Sequence, residues 1–308
     1  MIEVWRGNAN AWECDELGHM NVKFYLDKAM QGVANLASTA GLGSIYRDNA
    51  PATLIPDSLH IRFLAESHPG APLFIEAGVT AIRDSSADIA LIMRHAGTGR
   101  TAASFRLALT HRDRTNTQMM PWPASFNDIA ASLTVETPAD ALPRGISETN
   151  APASDISLAR AEELGLEQIG MGRFELTDMD VFGRLRSDVL LGRVSDSVVN
   201  FIGAFPEEWD FHQGKIDARI GSALLETRIL PRRWPRAGDG YVIRSGVKTV
   251  GPKIRNIVHW VLDPATGHPW WTMEGVAAPM DLDARKLVEP DAKTRARLDT
   301  AVKAGVSA

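Results

Sequence analysis

Cysteine is almost absent: the 308-residue chain carries one, Cys14. A single thiol can neither close an internal disulfide nor build a multi-cysteine zinc or iron–sulfur site. The chain therefore has no need of an oxidising compartment, and a cytoplasmic location is the expectation. Long apolar runs are missing as well. Arg, Asp or Gly interrupts the greasy segments every few positions, so no membrane span is expected. The opening MIEVWRGNANAWE places polar and charged residues where a secretion signal needs a continuous apolar stretch. Positive charge is not in excess either: 33 Lys+Arg stand against 38 Asp+Glu, a formal net charge of −5, and basic residues cluster no further than short groups such as Arg232 and Arg233. Without a broad cationic surface, nucleic acid is not an expected partner. The chain has no GxSxG elbow, no GxxxxGK[ST] loop and no GxGxxG after a strand, which argues against a serine hydrolase, an NTPase or a Rossmann dehydrogenase. His60, His68, His95, His111, His212, His259 and His268 show neither HxxxH nor HxH spacing. No metal and no cofactor are expected.

The composition that remains, 44% hydrophobic and 23% charged, is that of an ordinary globular protein, long enough for two domains of about 150 residues. A repeat gives those domains content. ECDELG at Asp15 and DMDVFG at Asp180 put Asp15 and Gly18 in register with Asp180 and Gly183, an offset of 165. Arg62, Leu64, Pro69 and Ala71 match Arg228, Leu230, Pro235 and Ala237 at 166, and Thr98 and Gly99 match Thr266 and Gly267 at 168. Such slow drift is what small loop insertions in a duplicated unit produce.

Both halves carry the same succession of periods. From His19 to Ala40, apolar residues three and four apart (Val22, Tyr25, Leu26, Ala29, Met30, Val33, Leu36, Ala37) predict a long, largely enclosed helix stopped by Gly41. Strand-like runs follow at 53–66, 73–83, 87–95 and 101–111, parted by the turns HPGAP, RDSSAD and GTGR. The second half predicts a helix over 187–205 and strands near 216–230, 241–250, 253–263 and 270–281. A long helix against an antiparallel sheet of consecutive hairpins is an α+β architecture. The expected organisation is a first unit at 1–125, a linker at 126–168, a second unit at 169–290 and a tail helix at 291–308. Five prolines at 121, 123, 138, 143 and 152 suggest the linker, and 157–164, closed by Gly165, suggests one short helix leading out of it.

The segment WECDELGHMNVKFY resembles the signature of hotdog-fold thioesterases of the 4-hydroxybenzoyl-CoA thioesterase type, in which an acid followed three residues later by Gly opens the buried helix. It is also similar to the Asp, His, Val/Met, Asn string of acyl-carrier-protein thioesterases, themselves tandem double hotdogs. The resemblance covers nearly the whole chain except linker and tail. It implies a double hotdog, each unit a long central helix wrapped by an antiparallel sheet, that hydrolyses an acyl-CoA or acyl-carrier-protein thioester, with a homodimer of double hotdogs among its assemblies. It further implies that Asp15 is nucleophile or general base, that the Val22 backbone N–H holds the thioester oxygen, and that His19 and Asn21 orient substrate or water beside Gly18. Leu17 stands where the acyl-carrier-protein thioesterases have an asparagine. In the second copy Arg184 and Arg186 replace the equivalents of His19 and Asn21, so Asp180 reads as a structural cap, with a live second site as the alternative.

The residues carry blander readings too. Asp before a helix is often only an N-cap, and Asn21 could satisfy a buried backbone group. Cys14 could be a nucleophile served by His19, but neighbouring side chains of extended backbone point opposite ways, which favours a buried structural cysteine. Trp260, Trp270 and Trp271 either fill a core or line an acyl tunnel. Arg232, Arg233 and Arg236 either meet coenzyme A phosphates or are solvated. The rival functions are an enoyl-thioester hydratase or dehydratase on the same fold, and a non-catalytic acyl-thioester binding protein.

Overall fold

The computed structural model describes residues 1–147 and 152–308. The chain divides into two compact units, Met1–Pro143 with Met179–Leu191, and Arg144–Asp178 with Gly192–Ala308.

In the first unit, β1 (Ile2–Asn8) leads through a 3-10 turn (Ala11–Glu13) to helix α1 (Val22–Ala37). Four strands follow: β2 (Ala52–Phe63), β3 (Pro72–Ile82), β4 (Ser86–His95) and β5 (Thr101–Asp113). They pair antiparallel in the order β1-β3-β4-β5-β2. The period-2 pattern is the cause: Leu73, Ile75 and Ala77 of β3 are fully buried while Phe74 and Glu76 between them are not. Helix α1 buries Leu26, Ala29, Val33 and Leu36. Gly32 allows it to lie close to the sheet, since a Cβ there would meet Val4 Cγ2 at 3.0 Å and Leu91 Cδ2 at 3.4 Å. The helix starts at Val22 rather than His19 because residues 15–20 are used by a tight turn, and it passes at Ser38 into a π-turn (Ser38–Leu42) in which Gly41 takes φ +84°.

The proline-bearing segment is structured where it is described; residues 148–151 of it lie outside the described residues. Helix α2 (Ala124–Ser132) begins just after Pro123, and a 3-10 turn (Ala139–Ala141) begins just after Pro138. Pro fits such starts because it has no N–H to lose and its φ is already helical. Val79 exchanges backbone bonds with Leu133 and Val135, Ala141 packs on Ala90 and Ile92, and Arg62 donates to the carbonyls of Asp140 and Leu142. Strand β4 is consequently buried on both faces.

The second unit contains α3 (Leu158–Glu163), capped by Ser157 and followed by Gly165 at φ +60°, then β6 (Glu167–Arg173). Next come α4 (Ser187–Ser195), whose first residues cluster with the first unit, and α5 (Pro206–His212). Strands β7 (Ile220–Pro231), β8 (Gly240–Val250), β9 (Arg255–Leu262) and β10 (Pro269–Asp281) complete an antiparallel sheet in the order β7-β10-β9-β8-β6, with β11 (Lys286–Leu287) beside β10. The single helix expected over 187–205 is broken. Ser197 Oγ turns back to the Arg193 carbonyl at 2.9 Å, Asn200 Nδ2 donates to the Ile169 carbonyl at 3.1 Å, and Pro206 opens a new helix. Helix α6 (Ala292–Ala301) is capped by Asp291, and the chain after it folds back so that Val306 joins Val258, Trp260 and Leu262 in one cluster. Trp260 donates to the Ser307 carbonyl at 2.8 Å, and Trp260, Trp270 and Trp271 are all buried, the core reading of these residues.

Duplication reaches individual bonds. Glu13 pairs with Lys28 at 2.6 Å and Asp178 with Arg193 at 2.6 Å; Asn35 Nδ2 donates to the Val4 carbonyl and Asn200 Nδ2 to that of Ile169. Each residue of the second set lies 165 positions after its counterpart in the first.

Candidate active site

The site begins with Glu13. Its Oε2 accepts the Asn10 N–H at 2.8 Å, its Oε1 takes the buried Lys28 ammonium, and its backbone carbonyl accepts the Asn21 N–H at 2.9 Å. One acid thus ties the 3-10 turn to the body of α1 and fixes the approach to its first residue. The chain then makes a tight loop in which Asp15 N–H bonds the His19 carbonyl, Gly18 N–H bonds the Asp15 carbonyl, and Gly18 takes φ +80°. That conformation costs a residue with a Cβ about 1 kcal/mol or more, which explains the acid–x–x–Gly spacing.

Within this loop Asp15 Oδ1 accepts the Leu17 N–H at 3.1 Å, whereas the contact of Oδ2 with Asn21 Nδ2 is long, at 3.5 Å. Asn21 is the N-cap of α1, its Oδ1 accepting the Lys23 N–H at 3.0 Å, and Phe24 N–H bonds the Asn21 carbonyl. Val22 is the first residue of the helix, so its N–H has no intrahelical acceptor and sits at the positive end of the dipole. His19 lies between two carboxylates, Nδ1 3.8 Å from Asp15 Oδ1 and Nε2 3.8 Å from Glu66 Oε1. Asp15, Gly18, His19, Asn21 and Val22 are therefore brought together by one turn and one helix start.

Glu66 and His68 were not expected here. They follow β2 in sequence, Glu66 closing the strand-like run 53–66 and His68 opening the HPGAP turn, and reach the site because Met20 N–H bonds the Ser67 carbonyl at 2.8 Å. The polar triplet Glu66-Ser67-His68 at a strand end was the only available signal. Tyr25 completes this wall, its hydroxyl 3.4 Å from the Ala65 carbonyl and its pKa pushed up to about 12 by burial.

Burial pushes the Asp15 carboxyl above its ordinary range, against the opposing pull of His19 and the Leu17 amide. A folded-state pKa above the unfolded one means that stability falls as pH rises through that interval, with the cost complete above the folded value. Asp15→Asn removes the charge. The variant should melt at a higher temperature than the wild type at neutral pH, and the gap should close as pH falls below the unfolded carboxylate range. Melting curves across pH check this, and equal melting temperatures throughout would contradict it.

Cys14 does not fit a nucleophile. Its Sγ is 3.3 Å from the Asn10 carbonyl, and burial with the charges of Asp15 and Glu13 raises its pKa, disfavouring the thiolate. Arg233 stacks over Trp270 at 4.4 Å and meets Asp263 at 3.5 Å, so its charge is engaged locally. Among the described residues, no group of three His, Cys, Asp or Glu could hold a metal ion.

Asp180 occupies the same kind of loop, with Gly183 at φ +72° and the Phe182 N–H on Oδ1. Its Oδ2, however, is gripped by Arg184 Nε at 3.2 Å and by a terminal guanidinium nitrogen at 2.9 Å, and Arg186 pairs with Asp188 instead of reaching Asp180. The second acid has every oxygen occupied by its own turn.

No described helix is long and apolar enough to cross a membrane. No curated protein sequence matches the chain. Among solved structures, the acyl-ACP thioesterase of Bacteroides thetaiotaomicron aligns with a TM-score of 0.62 at 12% identity over 89% of this chain and 96% of its own. The 12:0-ACP thioesterase of Umbellularia californica aligns with a TM-score of 0.65 at 11% identity over 89% and 92%. At such identities these likenesses speak to the fold, a hotdog architecture in two repeats. The model of the thioesterase-like superfamily matches twice, over residues 9–131 and 174–298, one copy on each helix-and-sheet repeat, and the chain belongs to that superfamily.

Proposed function

We propose that the protein hydrolyses an acyl thioester of coenzyme A or an acyl carrier protein, with Asp15 as its reacting carboxylate. The observation that carries this reading is the unequal treatment of the two Asp15 oxygens: one is fixed by the loop amide of Leu17 at 3.1 Å, the other meets Asn21 at 3.5 Å at the mouth of α1. The Asp180 carboxylate, held on both oxygens, is the internal contrast and is assigned a bracing role.

The chemistry follows from the groups present. The Val22 N–H and the helix dipole polarise the thioester carbonyl and stabilise the charge that grows on its oxygen. Asp15 either attacks the carbonyl carbon or draws a proton from the attacking water. In the first case the carbon–sulfur bond breaks to leave an acyl–Asp15 anhydride, which water then hydrolyses; in the second the water adduct collapses with the same cleavage. In both, the sulfur takes up a proton released by the water, and carboxylic acid and thiol leave. His19 and Asn21 flank Asp15 and orient water or substrate. Glu66, facing the outer nitrogen of His19, holds that ring in register. Substrates named for structural relatives, the acyl-ACP of the Bacteroides and Umbellularia enzymes, set the first compounds to try.

The test is a panel of acyl-CoA and acyl-ACP thioesters read with a thiol-detecting reagent. At least one member should release thiol with saturation kinetics. Hydration of a crotonyl thioester without thiol release would favour the hydratase alternative, and tight binding with neither reaction would favour a binding protein.

A further inference from the structure

We propose that His68 is a positioning residue of the Asp15 site: its ring joins the Gly18 carbonyl to the Glu66 carboxylate, locking the catalytic loop to the end of β2 and aiming Glu66 at His19. This rests on the thioesterase reading for its kinetic consequences, though not for its geometry.

Four contacts form a chain. His68 Nδ1 lies 3.0 Å from the Gly18 carbonyl, and Nε2 lies 3.6 Å from Glu66 Oε2. The other Glu66 oxygen is 3.8 Å from His19 Nε2, and His19 Nδ1 is 3.8 Å from Asp15. The first contact fixes the tautomer. A carbonyl can only accept, so Nδ1 of His68 must carry a hydrogen. Were His68 neutral, Nε2 would point a lone pair at a carboxylate, which repels. The arrangement is favourable when Nε2 is also protonated, as an imidazolium–carboxylate pair. His68 then neutralises Glu66 from the solvent side, leaving Oε1 to hold His19.

The charged groups around this ring are few. Glu66 lies on its own segment and His19 across the site. His95, at the end of β4, has its ring on the Glu66 backbone carbonyl and feels the positive charges of His68 and Arg100. The His68 side chain is 58% exposed, so its removal leaves no buried hole. A purely structural turn brace would therefore change little on truncation, whereas a positioning residue would change turnover.

The experiment uses the full-length wild type, His68→Ala, His68→Gln and Glu66→Gln. With the best thioester of the panel, His68→Ala should lower kcat about tenfold with KM changed less than about twofold, because the loop is misplaced while substrate binding elsewhere persists. His68→Gln, which keeps a donor for the Gly18 carbonyl, should recover part of the loss. Wild-type kcat in His68→Ala overturns the proposal. Nitrogen-resolved NMR of the histidine rings gives a readout independent of turnover. The His68 ring resonances should move in Glu66→Gln, and the His19 ring resonances should move in His68→Ala. Unmoved His68 or His19 resonances overturn the proposal even if the wild type hydrolyses no thioester, a result that would by itself overturn only the functional reading.

Discussion

Asp15→Asn should remain folded and lose between about 10²- and 10⁴-fold in thioester turnover, the span expected when a positioned base is deleted. Folding should survive because an amide oxygen can still accept the Leu17 N–H. Asn cannot take up a proton or form an acyl link, so the loss should appear in kcat. Asp180→Asn is the matched control. That carboxylate is bound by Arg184 and by two backbone amides, and its replacement should leave kcat within about twofold while costing some stability. Near-equal turnover in wild type and Asp15→Asn would remove Asp15 from the chemistry, and a large kcat loss in Asp180→Asn would place working chemistry in the second copy. Hydrolysis in ¹⁸O water under single-turnover conditions then tests direct attack, since label in the Asp15 carboxyl requires an acyl–Asp15 anhydride opened at the aspartyl carbon, which water activation never forms.

Lys28→Met should destabilise the protein by about 3–5 kcal/mol, the usual cost of leaving one member of a buried pair uncompensated. Lys28 and Glu13 are 3% and 7% exposed, and the single methionine side chain would face a carboxylate with nowhere to send its charge. Adding Glu13→Gln should restore much of the loss. The amide can keep the Asn10 cap through its oxygen, and a buried ion pair replaced whole is often close to neutral. Urea denaturation of wild type, both single variants and the double variant measures the coupling. The equivalent Asp178–Arg193 pair is more accessible, with side chains 11% and 25% exposed, so Arg193→Met should cost less than Lys28→Met. Equal costs would mean that burial does not set the energy of these pairs.

Much of the fold was legible in the sequence because its elements are long and strictly periodic. Strands β2 to β5 and β7 to β10 appear within a few residues of the alternating runs, and α1 appears where apolar residues recur every three to four positions. Two readings failed for a common reason, the override of local pattern by tertiary bonds. The helix expected over 187–205 keeps its apolar period straight through the break, but Ser197 and Asn200 spend their side chains on the Arg193 and Ile169 carbonyls. The proline count suggested a linker where Pro123 and Pro138 mark helical starts. The candidate site divides the same way. Asp15, Gly18, His19, Asn21 and Val22 sit in one short string, because a loop and a helix start are local objects. Glu66 and His68 lie over 40 positions further on, and long-range bonds such as Met20 N–H to the Ser67 carbonyl and His68 to the Gly18 carbonyl bring them in.

The bonds repeated at an offset of 165 have an evolutionary consequence. Two identical subunits related by a two-fold axis must carry the same residue at both equivalent positions, since one gene writes both. Fusing the copies into one polypeptide lifts that constraint. Here the shared scaffold, the acid–base pair under the loop, the asparagine tie to the first strand and the left-handed glycine, stands in both halves, while His19 and Asn21 of one correspond to Arg184 and Arg186 of the other. Selection on the second loop is free of the demands made on the first, and there the acid is tied to Arg184 of its own turn.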